Sequence, residues 1–197
     1  MKFRLGLTGS IGMGKSTTAA MFAEEGCVIW DADAAVHRLY SAGGAAVSPI
    51  QQAWPEAIEN GAISRDRLRE IIAADKTALP RIEAIVHPLV QQDRTEFARL
   101  HPDKIGVFDV PLLFETGGDA EMDATACVTV PQEIQIQRVL ARGTMTQDDL
   151  ERILSRQMPN DEKCSRATYV IRTDTLEHAR GQVQDIMQDI RKGLSDA

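Results

Sequence analysis

"LGLTGSIGMGKSTTAAMF", Leu5 to Phe22, is the stretch that decides the fold of this chain. Within it, Gly9-Ser10-Ile11-Gly12-Met13-Gly14-Lys15-Ser16 satisfies G-x-x-x-x-G-K-[ST], the Walker A pattern. Glycines at those positions let backbone N–H groups turn inward around phosphate oxygens, and the helix that follows adds the positive end of its dipole. Lys15 is expected to reach the β- and γ-phosphates of a nucleotide, and the Ser16 hydroxyl to ligate Mg²⁺. The candidate nucleotide-binding residues are Gly9, Gly12, Met13, Gly14, Lys15, Ser16 and Thr17. The pattern carries weight only between a strand and a helix, and both are there. Phe3 to Leu7 is apolar at alternate positions and ends at Thr8-Gly9; Lys15 to Glu25 offers Ala19, Ala20, Met21 and Phe22 for burial, then stops at Gly26.

Outward from the loop the strand–helix alternation continues. "CVIWD" (Cys27 to Asp31) reads as a second strand, followed by a helix through Leu39 that Gly43-Gly44 breaks. This is the βαβ rhythm of an α/β fold with a parallel sheet covered by helices. Residues 45–100 carry helix signals and no strand, and read as a helical insertion. Ser64 caps a helix there with Leu68, Ile71 and Ile72 on one face, and Pro88 suits the first turn of another, with His87 just before it. Strands resume at "KIGVFD" (Lys104 to Asp109) and "TACVTV" (Thr125 to Val130), and "TYVI" (Thr168 to Ile171) is a last one. Between the last two lies a segment with four arginines among helical signals. The closing helix is expected to bury Leu176, Ala179, Val183, Ile186, Met187 and Ile190.

At 197 residues the chain buries roughly 70% of its unfolded surface, so it needs no disulfide or structural metal. Its net charge of −7 argues against broad binding to nucleic acid, so positive charge for anionic ligands must be concentrated locally. Three cysteines (Cys27, Cys127 and Cys164), odd in number and far apart in sequence, indicate neither a disulfide framework nor a zinc site. No signal peptide and no apolar run long enough to span a bilayer is present, so a cytoplasmic protein without a membrane partner is expected.

Asp31-Ala32-Asp33 follows the second strand, where open α/β sheets place ligand-binding groups. A carboxylate there can orient an acceptor hydroxyl and take its proton during phosphoryl transfer, while Asp31 also suits a helix cap. Asp109 closes an apolar strand, as an aspartate that holds Mg²⁺ does, and the apolar "VPLLFE" after it reads as a pocket wall. Arg138 and Arg142, four apart on a helix, share a face and suit phosphate clamping. A GTPase needs N-K-x-D, but Asn60 and Asn160 are followed by Gly and Asp. No signature of an ATP-driven machine is visible. A shikimate-type kinase, which also pairs the loop with a D-x-D, is the nearest alternative.

Taken together, "LTGSIGMGKST", "VIWDADAAVHRLY", "IEAIVHPLV", "FDVPLLFE" and "QIQRVLAR…LERILSRQM" closely resemble the dephospho-CoA kinase family, in collinear order over nearly the whole chain. The resemblance implies a three-layer P-loop NTPase/kinase core formed by residues 1–40, 102–137 and 166–197. It implies an inserted helical substrate domain over 41–101 and a helical lid over 138–165. The implied activity is that of a phosphotransferase with an alcohol acceptor: ATP-dependent phosphorylation of the ribose 3′-hydroxyl of dephospho-CoA, the last step of coenzyme A synthesis. ATP and dephospho-CoA would be its small-molecule partners, Mg²⁺ its metal, and its oligomeric state is left open. Asp33 would be the catalytic base, with Lys15 and Arg142 also catalytic and Arg138 on the nucleotide. Asp31, Asp33, His87 and Leu112 would contact the acceptor, and Ser16 and Asp109 the metal. The family pattern "ADYVI-x-N" reads Ala167-Thr168-Tyr169-Val170-Ile171-Arg172-Thr173 here, with Thr168 and Thr173 replacing Asp and Asn.

Overall fold

The computed structural model describes residues 1–196, which fold as two compact units. The first comprises Met1–Trp30 and the chain from His101 onward; the second is Asp31–Leu100.

The first unit is built on a five-stranded sheet. Its strands are β1 (Phe3–Thr8), β2 (Val28–Asp31), β5 (Ile105–Asp109), β6 (Ala124–Thr129) and β7 (Tyr169–Arg172), in the order β2-β5-β1-β6-β7. β1 pairs in parallel with β5 and β6, and β6 in parallel with β7. β2 and β5 read as nearly continuous apolar runs, as strands of a parallel sheet covered on both faces do. Helices α1 (Lys15–Glu24) and α9 (Leu176–Ser195) supply Phe22, Val183, Met187 and Ile190 to a core shared with Leu5, Leu7, Val107 and Val128. Leu176, expected inside, is 68% exposed. It opens α9 one residue after its cap Thr175, and at a helix start an apolar residue can lie beyond the edge of the sheet that the later turns cover. Between β6 and β7 the arginine-bearing segment forms three helices: α6 (Gln132–Ala141), α7 (Gln147–Leu154) and α8 (Asn160–Arg166). Gly143, at a φ of 65°, ends the first, and Pro159 starts the last.

In the second unit, α2 (Ala32–Tyr40), α3 (Val47–Ala53), α4 (Arg65–Ala74) and α5 (Ala78–Leu100) enclose Leu39, Ile50, Trp54, Leu68, Ile82 and Val86. Ser64 caps α4 by accepting the Arg67 N–H. Two expectations need correction. Pro88 does not begin a helix: it lies inside the 23-residue α5, with His87 also in mid-helix. Both are exposed, so the Ala84 carbonyl that loses its partner to the proline ring is open to water, and Ile82, Val86 and Ala98 anchor the helix on either side. The unit also contains a strand pair, β3 (Ile58–Glu59) and β4 (Ala62–Ile63), joined by Asn60-Gly61 at φ of 52° and 78°. An Asn-Gly turn with both residues left-handed matches the twist of a hairpin.

Candidate active site

The phosphate loop spans the β1–α1 junction. Gly14 is the N-cap of α1 in a left-handed conformation, and a Cβ there would stand 3.0 Å from the Thr173 hydroxyl. At Gly12, a Cβ would come within 2.6 Å of Val139 and 3.2 Å of the Gln135 carbonyl, so the loop lies directly against α6. Ser16 and Thr17 are exposed on the first turn of α1, while Gly9, Gly12 and Met13 are buried.

Lys15 Nζ donates to Asp109 Oδ1 at 2.5 Å. The sheet register explains the meeting: Asp109, the last residue of β5, sits opposite Leu7 of β1, two residues before Gly9. After Asp109 the chain stays on β1, with Val110 N–H donating to the Leu7 carbonyl and the Thr8 hydroxyl to that of Pro111. Leu113 and Phe114 are thereby buried, and Leu112 is left 39% exposed. The Asp109 carboxylate and Ser16 hydroxyl are both hard oxygen donors next to Lys15, a set that fits Mg²⁺. Among the described residues no cluster of three or more His, Cys, Asp or Glu could hold a metal ion without a ligand's help.

Three side chains remote in sequence grip the loop. Asn160 Oδ1, on the first turn of α8, accepts the Ser10 N–H at 3.0 Å; Gln135 Nε2 of α6 donates to the Ile11 carbonyl at 2.7 Å; the Thr173 hydroxyl donates to the Met13 carbonyl at 2.7 Å. The sequence marks Thr173 only as a departure from the family pattern and assigns none of the three this role, for their contacts span 124 to 160 residues. Arg138 does lie beside the loop, its guanidinium donating to the Thr173 hydroxyl and carbonyl. Arg142 is exposed at the C-terminal end of α6.

Lys163, fully buried on α8, donates to the Pro111 carbonyl and Glu115 Oε1, both at 2.8 Å. Burial alone would raise the Glu115 carboxyl, but the Lys163 ammonium and the Met158 N–H outweigh it and hold the group below its ordinary value. Cys127 and Cys164, distant in sequence, have sulfurs 3.5 Å apart; all three cysteines are free, and burial pushes the Cys27 thiol up to about 11. A cavity of about 600 Å³ opens beside the loop, lined by Ser10, Met13, Pro131, Leu154, Met158, Asn160, Arg172 and Asp174.

In the second unit, Asp31 caps α2, accepting the Ala34 N–H at 2.7 Å. Asp33 stands exposed on the first turn of that helix, and His87 is exposed on α5.

A parallel sheet ordered β2-β5-β1-β6-β7, with a phosphate loop after its central strand and a Lys–Asp pair at the strand ends, defines a P-loop kinase core. The family model for dephospho-CoA kinase matches residues 3–178. A dephospho-CoA kinase of Ruegeria pomeroyi is 64% identical over 193 residues, 98% of each chain. A crystal structure from Thermus thermophilus superposes with a TM-score of 0.84 at 29% identity, covering 95% of this chain and 96% of that one. The dephospho-CoA kinase structure from Campylobacter jejuni shares the fold, with a TM-score of 0.74 at 22% identity over 96% and 98% of the two chains. This chain belongs to the dephospho-CoA kinase family and is a kinase.

Proposed function

We propose that the chain transfers the γ-phosphoryl group of ATP to the ribose 3′-hydroxyl of dephospho-CoA, giving CoA and ADP. The phosphate loop, buttressed from three sides with Lys15 on the strand-end carboxylate Asp109, carries the donor half of this reading, and membership of the family supports the acceptor half. Ser10–Thr17 would wrap the phosphates with backbone N–H groups, and the apolar walls of the adjoining cavity, Met13, Pro131, Leu154 and Met158, suit the flat nucleoside end. Ser16 and Asp109 would hold Mg²⁺, which would supply positive charge against that of the phosphates.

Lys15 and Arg142 neutralise charge that develops as the phosphoryl group moves, and Arg138 adds a further cation on the nucleotide side. Asp33 aligns the acceptor hydroxyl and receives its proton; its exposed carboxylate is accessible to an acceptor. Asp31, His87 and Leu112 complete the acceptor contacts, in keeping with the family resemblance. Residues 138–165 serve as a lid whose closure excludes water and so limits idle hydrolysis of ATP, and residues 41–101 as the acceptor domain. A cytoplasmic location accords with the three free thiols, and no helix among the described residues is long and apolar enough to cross a membrane.

ADP release measured with Mg-ATP alone, with dephospho-CoA and with shikimate tests the reading. Release that depends on dephospho-CoA is expected; equal release without an acceptor, or release driven by shikimate, contradicts it.

A further inference from the structure

We propose that Thr173 is a positioning residue for the phosphate donor: its hydroxyl sets the P-loop and, together with its backbone carbonyl, Arg138. The inference rests on the donor-site reading above and deepens it. Thr173 lies one residue past β7 and is 7% exposed. Its backbone N–H is spent on the Thr129 carbonyl at 2.9 Å, which fixes the residue at the end of β6 without any help from the side chain.

The side chain is then free to face the loop. A threonine hydroxyl has one proton to give and two lone pairs. The proton goes to the Met13 carbonyl at 2.7 Å, and the Arg138 Nη1 donates back to the oxygen at 3.2 Å. The Thr129 carbonyl, at 3.4 Å, is a poorer competitor for the proton. Arg138 Nη2 adds a bond of 2.6 Å to the Thr173 carbonyl, so the guanidinium grips this one residue twice.

Met13 and Gly14 immediately precede Lys15. Holding the Met13 carbonyl outward leaves the peptide N–H groups that follow it turned the other way, toward a phosphate. The methyl and hydroxyl of Thr173 also fill the space where a Cβ on Gly14 would fall, 3.0 to 3.3 Å away. One residue thus holds loop conformation through its hydroxyl and cation direction through its hydroxyl and carbonyl together.

Two pairs of variants isolate the hydroxyl: wild type against Thr173→Val, and Thr173→Ser against Thr173→Ala. Each pair differs by the hydroxyl and little else in shape, and the second pair stands if the valine variant fails to fold. The readouts are the ADP dissociation constant by calorimetry, the KM values for ATP and dephospho-CoA, and Tm. Losing the hydroxyl should weaken ADP binding and raise the ATP KM roughly fivefold to tenfold within each pair, at an unchanged dephospho-CoA KM. Thr173→Ser should stay within about twofold of wild type. Equal nucleotide affinity within the pairs overturns the proposal. So does a rise in both KM values in step with a fall in Tm, which would mark a merely structural role. ADP binding needs no acceptor, so this result is separate from whether dephospho-CoA is phosphorylated.

Discussion

Asp33 offers the sharpest residue-scale test, because an exposed carboxylate on the first turn of α2 can be neutralised without disturbing a core. Asp33→Asn should lower kcat by roughly 10²- to 10⁴-fold while ATP affinity changes little; stopped-time ADP assays and calorimetry read the two separately. Arg142→Ala should lower kcat on the order of 10²-fold with intact folding, since the residue is exposed and ends its helix. The loop residues could be read from sequence because phosphate binding needs glycines and a lysine at fixed local spacing. Thr173, Gln135 and Asn160 could not. Each is a common polar residue whose role comes from a partner more than a hundred positions away, brought near by sheet order. For Asp31 the structure shows the helix cap.

Helix α8 joins two parts of the first unit, for Asn160 holds Ser10 while Lys163, one turn on, holds Pro111 and Glu115. In the sequence "NDEKCSR" this lysine reads as an ordinary solvated charge, and only the packed helix reveals it as fully buried. Removing one partner of such a pair leaves a buried charge exposed to cost, so Glu115→Ala should destabilise by about 3 kcal/mol and lower Tm by roughly 6–12 °C. The pH dependence has a definite sign. Glu115 is held below its ordinary 4.5, so its contribution is present above that pH and is lost as pH falls through the folded value. Thermal melts of wild type and Glu115→Gln should therefore differ at neutral pH and converge under acid conditions; a gap that widens in acid contradicts the pairing. Strand and helix order was legible from periodicity, but Pro88 was not, because a proline is tolerated mid-helix only when water can take the freed carbonyl. The β3–β4 pair escaped too: two-residue strands have no period, and Asn60-Gly61 was its only signal.

For the whole molecule, the division into two units sets what a melting curve reports. The loop lies in the unit containing Met1–Trp30, so Mg-ATP should stabilise that unit by mass action. At a hundred times its dissociation constant it should add about 2.7 kcal/mol, raising the corresponding transition by roughly 5–10 °C. Lys15→Ala should abolish most of that rise, as scanning calorimetry can show. The parallel sheet was legible because alternating strands and helices admit few topologies. Where one unit ends was not, because α2 follows β2 without a break and joins the second unit through its packing on α5. The central claim concerns where the phosphate goes. The most direct measurement is mass spectrometry with phosphorus NMR on the product formed from Mg-ATP and dephospho-CoA. The account predicts a single new phosphomonoester on the ribose 3′-hydroxyl, stoichiometric with ADP. Phosphate released as the free ion, or attached at any other position, would contradict it.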